Sequence, residues 1–319
     1  MNDQTPRRYK GTLLERAAEQ HRFDAPTAQP APEPRAPAPS AAMPAYEPPH
    51  AEGPAIRRGY PDEAVAQPRE THRRSAPLDH VGLAKLGMLV PGGPVTPLAE
   101  EFRLVKRQLL LTARAIAGTD ARNSDRARMI LVCSAQPDEG KTFSAINLAL
   151  SMAAEKDVEI LLVDADFAKP DVLERLGLPQ GPGLLDALSG SISNVEDCII
   201  DTDVPQLAVL PAGTKSHMDT ELIASDRARA ILDGLAAANP RRIVIFDSPP
   251  ALAASPAAVL ALHVGQVMLV VRADRTSESD LREATAMLDG CEHIQLVLNG
   301  VSFQPGGRRF GSYYGEAGK

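Results

Sequence analysis

A lysine–threonine pair stands between a strand-like run and a helix-like run of this sequence. The apolar run 129–134 leads into the loop 135–142, Ala-Gln-Pro-Asp-Glu-Gly-Lys-Thr, and a helix-like run follows at 143–154. At such a junction the backbone N–H groups of the helix start and the helix dipole attract an anion. We expect Lys141 to reach the β- and γ-phosphates of a nucleotide and the Thr142 hydroxyl to hold Mg²⁺. The pattern therefore predicts a phosphate-binding loop, and the alternative is a chance Gly-Lys-Thr after a strand.

Three carboxylates are predicted to lie at the ends of two strands. Asp164 and Asp166 follow one apolar run, and Asp247 follows another. Because the carboxyl ends of parallel strands share one edge of a sheet, these groups are expected beside the phosphate-binding loop. Mg²⁺ prefers oxygen ligands, so we expect Asp247 to hold the metal directly or through water and Asp166 to support it. Asp164 is expected to accept a proton from an attacking hydroxyl, and the alternative for Asp166 is an acidic strand cap.

The elements that must position these residues alternate along the second part of the chain. This alternation predicts an α/β fold, a P-loop NTPase-type parallel sheet with helices on both faces. Asn299, at the end of the last strand, is a candidate for nucleotide contact. The predicted strands are 129–134, 159–164, 207–210, 242–247, 266–272 and 294–298, and the predicted helices are 98–115, 143–154, 171–176, 184–188, 226–237, 256–262 and 277–288.

Composition divides the chain before these elements begin. Of the 28 prolines, 17 lie in the first 97 residues, which have few large apolar side chains. Such a segment buries too little apolar area to offset its chain entropy. We therefore predict a mostly disordered Pro/Ala-rich tail over 1–80, a domain over 81–304 and a flexible Gly/Tyr tail over 305–319. Within the first tail, 12–20 has the spacing of a short helix, which is either a partner-docking segment or a transient helix.

Charge and cysteine usage exclude several other functions. Residues 98–319 carry 22 basic and 30 acidic side chains, a net charge of −8, which argues against a nucleic-acid-binding surface. The three cysteines have no paired spacing and therefore indicate no zinc or iron–sulfur site. The charge-free run 248–271 is long enough to span a bilayer, but three prolines interrupt it. We interpret it as a loop, a buried helix and a buried strand rather than a membrane span.

Several segments together resemble a known family. The loop at 135–142, the Leu-Leu-Val-Asp-Ala-Asp run at 161–166 and Phe-Asp-Ser-Pro-Pro at 246–250 resemble the Walker A, Walker A′ and Walker B motifs of bacterial protein-tyrosine kinases. The resemblance extends over about residues 83–319. Segments 13–19 and 100–107 are similar, more narrowly, to the exosortase-associated (PEP-CTERM locus) tyrosine autokinases of exopolysaccharide biosynthesis.

The resemblance implies an ATP- and Mg²⁺-dependent tyrosine autokinase that regulates exopolysaccharide polymerisation or export. In such an enzyme Tyr313 and Tyr314 of one subunit would be phosphorylated by a neighbour in a ring of identical subunits. Glu100, Arg103 and Lys106 match the family's oligomerisation motif. The implied catalytic residues are Lys141, Asp164 and Asp166, the nucleotide-binding residues are Asp138, Glu139, Gly140, Lys141, Thr142, Phe143 and Asn299, and the metal ligands are Thr142, Asp166 and Asp247.

The resemblance further implies a partner, a membrane chain-length regulator, and a cytoplasmic protein held at the inner membrane through that partner. Two positions depart from the family's pattern: Ala168 stands where an arginine is usual, and Lys106 replaces the third motif residue, also an arginine. Two alternatives follow. One is a nucleotide-switch ATPase of the septum-positioning and partitioning type, and the other is an ATP-binding regulatory subunit of a polysaccharide export complex.

Overall fold

A computed structural model describes residues 73–118 and 124–301 of the 319-residue chain. The segment predicted as a short helix at 12–20 and both C-terminal tyrosines, Tyr313 and Tyr314, lie outside these residues. The described strands are β1 (Arg74–Ser75), β2 (Met129–Ser134), β3 (Glu159–Asp164), β4 (Ile200–Asp201), β5 (Leu207–Leu210), β6 (Arg242–Asp247), β7 (Gln266–Arg272) and β8 (Ile294–Asn299).

Helices connect and cover these strands. They are α1 (His80–Lys85), α2 (Pro97–Ala117), α3 (Ser124–Ala127), α4 (Lys141–Met152), α5 (Val172–Leu176), α6 (Leu184–Ser189), α7 (Asp219–Ile223), α8 (Asp226–Ala237), α9 (Pro256–Ala261) and α10 (Glu278–Met287), and a 3₁₀ turn spans Val195–Cys198.

The strands form one eight-stranded sheet in the order β1-β4-β5-β3-β6-β2-β7-β8. All neighbouring strands are parallel except β4 and β5, which pair antiparallel through Ile200–Val209 and Asp201–Ala208. The predicted α/β fold with a parallel sheet is confirmed, with this one reversed pair. The reversal follows from the connection, because only residues 202–206 separate β4 from β5, enough for a hairpin but too few for a crossover.

The apolar residues of each central strand alternate between two cores, one on each face of the sheet. Ile130 and Val132 of β2 pack with one face, whereas Leu131 and Cys133 pack with the other. Helices α1, α2, α4 and α5 cover the first face, and α6, α8, α9 and α10 cover the second. Both faces of the central strands are therefore dry, as a parallel sheet requires.

Element boundaries differ from the sequence prediction mainly at short elements. Five of the predicted strands are reproduced, and β8 is one residue longer. Helix α4 begins at Lys141, two residues before the predicted start, because Gly140 completes the loop with a left-handed φ of 97°. The prediction missed six elements that have six residues or fewer, too short to show a period: β1, β4, α1, α3, α7 and the 3₁₀ turn.

Two stretches that we interpreted from composition take defined positions. The segment 73–80, within the predicted tail, contains β1, and this strand pairs with β4 at the edge of the sheet. The charge-free run 248–271 forms a loop, α9 and most of β7, as we predicted from its prolines. Within the described part of the chain, no helix is both long and apolar enough to cross a membrane.

Candidate active site

The loop between β2 and α4 has the backbone shape of an anion cradle. Asp138 has a positive φ of 62°, and Gly140 has a φ of 97° just before the first helical residue. A Cβ atom on Gly140 would lie 2.1 Å from Asn299 Nδ2, so only glycine fits there. Lys141 and Thr142, the first two residues of α4, line the cavity that the loop borders.

Hydrogen bonds within the loop and to the β7–β8 region fix the conformation of the phosphate-binding loop. Glu139 is fully buried, and its carboxylate accepts hydrogen bonds from the Gln136 N–H, at 3.0 Å, and from the Thr276 hydroxyl. The Asn299 amide donates to the Glu139 carbonyl at 2.9 Å. Glu139 and Asn299 therefore shape the loop through their side chains. Sequence reasoning missed Thr276, which no motif marks.

The three predicted carboxylates do meet at one edge of the sheet. Asp164 and Asp247 are direct neighbours in the β3–β6 pairing, and Asp166 lies two residues beyond Asp164. Lys141 Nζ lies 2.6 Å from Asp166 Oδ2 in a largely buried ion pair. The Asp164 carboxylate accepts from the backbone N–H of Asp166, at 3.3 Å, and of Val172, at 3.1 Å. Asp164 thus ties the loop after β3 to the start of α5.

Burial dominates the electrostatics of these groups. Desolvation raises the pKa of Asp247 to about 7, although Lys141 and the nearby Thr142 hydroxyl oppose the rise. Desolvation, with the charge of Asp247 next, also raises the pKa of Asp164 well above its ordinary value. Burial would lower the pKa of Lys141, but the charges of Asp247 and Asp166 outweigh it and raise that pKa. Burial therefore disfavours the charged forms of Asp164 and Asp247, and a cation bound beside them would favour those forms.

Asp247 is the group that fits a metal ion. Both of its carboxylate oxygens are buried, and neither has a partner at hydrogen-bond geometry among the described residues. Such oxygens next to the Thr142 hydroxyl suit a hard cation such as Mg²⁺. Within the described ranges, no group of three or more His, Cys, Asp or Glu side chains is arranged to hold a metal. Mg²⁺ held here would therefore keep water or phosphate oxygens in its remaining positions.

A cavity of about 420 Å³ opens above these groups. Six of the predicted residues line it: Asp138, Gly140, Lys141, Thr142, Phe143 and Asp166. Asp164, Asp247 and Glu139 are buried behind this lining, and Asn299 does not belong to it either. Ala168 and Lys169 line the cavity too, as do Pro249 and Pro250 of the third motif. The sequence prediction missed four further lining residues: Asp171, Arg175, Ala253 and Ala254.

The predicted oligomerisation residues lie far from this cavity in sequence, on α2. Arg103 pairs with Glu100 within the helix and is about half exposed. Lys106 instead contacts its own chain, donating to the Ser151 carbonyl at 2.9 Å and lying 2.6 Å from a Glu155 oxygen. Its side chain is mostly buried, so Lys106 differs from Arg103 in having little surface to offer a neighbour.

Fold and site together define a nucleotide-binding domain with a phosphate-binding loop, and the AAA domain family matches residues 127–294, more than half of the chain. EpsB of Ralstonia nicotianae, whose name places it with the tyrosine-protein kinases, is 31% identical over 228 residues, 70% of this chain and 28% of EpsB.

Two solved structures give the same relationship. The VpsO kinase domain is 31% identical, with a TM-score of 0.50, covering 61% of this chain and 97% of that domain. The BceF tyrosine kinase domain is 25% identical, with a TM-score of 0.55, covering 72% of this chain and 93% of that domain. The chain belongs to the bacterial protein-tyrosine kinase family. It spans less than a third of the length of EpsB.

Proposed function

We propose that this chain is an ATP- and Mg²⁺-dependent protein-tyrosine autokinase that phosphorylates Tyr313 and Tyr314 of a neighbouring copy. The observation that carries this proposal is the arrangement around Lys141. Its Nζ lies 2.6 Å from Asp166 at the floor of the cavity. The nearby Asp247 carboxylate has no partner at hydrogen-bond geometry in the part of the chain that the structure describes. Membership of the tyrosine-kinase family supports tyrosine as the acceptor.

The residues divide the work of phosphoryl transfer. The N–H groups at the start of α4 and Lys141 bind the β- and γ-phosphates, and Thr142 and Asp247, supported by Asp166, would hold Mg²⁺. When bound, Mg²⁺ neutralises charge on the phosphates. The tyrosine oxygen attacks the γ-phosphorus, its proton passes to Asp164, and the bond to the β–γ bridging oxygen breaks to release ADP. Burial and then the charge of Asp247 raise the pKa of Asp164, which makes its carboxylate a stronger base.

Transfer between subunits requires an assembly, for which we propose a ring formed through α2. Arg103 supports this role, because it is half exposed and its only described ion pair is with Glu100 of the same helix. Lys106 would have to leave Glu155 and Ser151 to join such an interface.

We further propose that the kinase regulates exopolysaccharide polymerisation or export and acts in the cytoplasm, at the inner membrane, through a membrane chain-length regulator. The similarity of segments 13–19 and 100–107 to kinases of exopolysaccharide loci supports this role.

The kinase proposal is tested by incubating the purified chain with Mg²⁺ and ATP and mapping phosphate by mass spectrometry. We expect phosphate on Tyr313 or Tyr314 and none on Lys141→Ala. Transfer in trans is tested by mixing two variants. The Tyr313→Phe/Tyr314→Phe double variant keeps Lys141 but has no acceptor tyrosines, whereas the Lys141→Ala protein has the tyrosines, so phosphate on the latter must come from the former. ATP hydrolysis without phosphotyrosine would indicate a switch ATPase instead. Nucleotide binding with neither activity would indicate a regulatory subunit.

A further inference from the structure

Arg175 lies on the wall of the nucleotide cavity, although no motif of the sequence marks it. It belongs to the short helix α5, which follows the loop that carries Asp166. One of its terminal nitrogens donates to Asp171 Oδ2 at 3.1 Å, within the same turn. Its side chain is about one-third exposed, which leaves it within reach of a molecule in the cavity.

The guanidinium has more donors than partners. An arginine side chain carries five N–H donors in a planar fork. Within the described ranges, Arg175 donates only to Asp171, and its Nε is buried with no partner at all. Unpaired buried donors are costly, so donors left over beside a phosphate-binding loop indicate an anionic ligand.

The position of Arg175 is fixed by the carboxylate at the centre of the site. The Val172 N–H donates to Asp164 Oδ2 at 3.1 Å and so ties α5 to the end of β3. Val172, Leu173 and Leu176 are buried and leave the helix little freedom to move.

Two lysines also line the cavity, Lys141 and Lys169, and Lys141 is already bound to Asp166. A bound triphosphate carries more negative charge than these two side chains balance beside the site's carboxylates, so a further cation turned inward would stabilise it. Arg175 needs only to exchange the Asp171 carboxylate for a phosphate oxygen, and that exchange costs a single partly exposed ion pair.

We propose that Arg175 is a phosphate-contacting residue of the nucleotide site, which releases Asp171 and binds the terminal phosphate. This inference rests on the proposed function only in taking ATP as the nucleotide. The planar fork can bind a phosphate through two nitrogens, and a lysine cannot reproduce that geometry.

Nucleotide affinity measured by calorimetry, without turnover, tests the assignment. We expect Arg175→Gln to weaken binding of the ATP analogue AMP-PNP with Mg²⁺ by about 10- to 100-fold and of ADP by less than about threefold. Arg175→Lys should recover only part of the loss. The control is Arg282→Gln, which removes an exposed arginine that also pairs with an acidic residue four positions earlier, Glu278, and should change neither affinity. Unchanged AMP-PNP affinity in Arg175→Gln, or an equal loss for ADP, would overturn the proposal.

Asp171→Asn separates phosphate contact from a structural role of the pair. The Asp171 side chain makes no capping hydrogen bond to α5, so its loss frees Arg175 without removing a cap. We expect AMP-PNP to bind at least as tightly as to the wild type, whereas a loss equal to that of Arg175→Gln would assign the pair a structural role and overturn the proposal. If the wild type forms no phosphotyrosine and Arg175→Gln still loses AMP-PNP, the kinase proposal fails and this one stands.

Discussion

At the scale of single residues, Asp166 and Asp247 occupy opposite environments within one site. Asp166 has Lys141 at 2.6 Å and the Lys169 N–H at 3.1 Å, whereas Asp247 is fully buried and has no partner at hydrogen-bond geometry among the described residues. Because a buried charge without a partner is costly, Asp247 strains the metal-free protein. The cost is one that bound Mg²⁺ would remove.

Asp247→Asn should therefore stabilise the metal-free protein while removing its response to Mg²⁺. At pH 8 the Asp247 carboxyl is mostly charged, because its pKa is about 7, and the amide removes that charge. We expect the free energy of unfolding in EDTA to rise by about 1–3 kcal/mol in urea titrations. Addition of Mg²⁺ and nucleotide should stabilise the wild type much more than the variant. A variant less stable than the wild type in EDTA would contradict this account.

Asp166→Asn should have the opposite effect on stability. The substitution leaves Lys141 buried without its ion-pair partner, which costs about 1–3 kcal/mol. The two variants carry the same chemical change in the same site, so each is the control for the other. In urea titrations at pH 8 in EDTA, the free energy of unfolding should be higher than that of the wild type for Asp247→Asn and lower for Asp166→Asn. Equal shifts would show that the pairing of Lys141 does not decide the stability.

At the scale of elements, the phosphate-binding loop depends on its contact with the end of β8. Gly140→Ala places a side chain at a φ of 97° and a Cβ 2.1 Å from Asn299 Nδ2. We expect the strained backbone to lower the free energy of unfolding by about 1–2 kcal/mol and to weaken AMP-PNP binding. In the double variant Gly140→Ala/Asn299→Ala the steric collision is removed but the backbone strain at position 140 remains. If the double variant recovered the wild-type free energy of unfolding in full, the collision alone would account for the loss.

A second contact between elements links the 3₁₀ turn to β6 and to the residue before β1. Glu196, in the 3₁₀ turn, binds Arg242 of β6 through two nitrogens, at 2.6 and 3.0 Å, and also Arg73 beside β1. Burial would raise the pKa of Glu196, but Arg242 and Arg73 together hold it below its ordinary value. The network therefore stabilises the fold above the ordinary pKa of glutamic acid, and its contribution is lost as the pH falls through the lowered pKa.

Glu196→Gln should cost about 1–3 kcal/mol at pH 7, because Arg242 is buried and loses its charged partner. The difference from the wild type should narrow as the pH is lowered and close below the folded pKa of Glu196. Urea titrations between pH 3 and 7 measure it. The control is Glu283→Gln, an exposed position on α10, which should stay within about 0.5 kcal/mol of the wild type at every pH. A pH-independent difference would contradict the network.

At the scale of the whole molecule, α2 has two roles along one helix. Its buried residues Phe102 and Leu109 cover one face of the sheet, while Arg103 is exposed. Lys106 links α2 to the end of α4 through Ser151 and to Glu155 just beyond it. The helix can thus stabilise the domain through Lys106 and contact a neighbour through Arg103.

Arg103→Glu should dissociate the proposed ring, because it places a second negative charge beside Glu100. Lys106→Ala should leave the assembly unchanged and instead lower the free energy of unfolding by about 1 kcal/mol through its lost internal contacts. Sedimentation velocity reports the assembly and urea titration the stability. Dissociation by Lys106→Ala with unchanged stability would reverse the two roles.

The sequence by itself determined the phosphate-binding loop, the strand-end carboxylates and the alternation of strands and helices. These depend on local patterns: apolar runs long enough to show a period, and chemical groups that follow them directly. A parallel sheet then brings Asp164 and Asp247 together, since its strands end at one edge.

Only the tertiary structure decided what depends on residues distant in the chain. Thr276 and Asn299 reach Glu139 from more than 130 positions away, and Arg175 enters the cavity through the placement of a five-residue helix. The short strands β1 and β4 form because an existing sheet edge offers them partners. Neither the buried isolation of Asp247 nor the internal pairing of Lys106 appears in the spacing of residues, because both result from how the two faces of the sheet are covered.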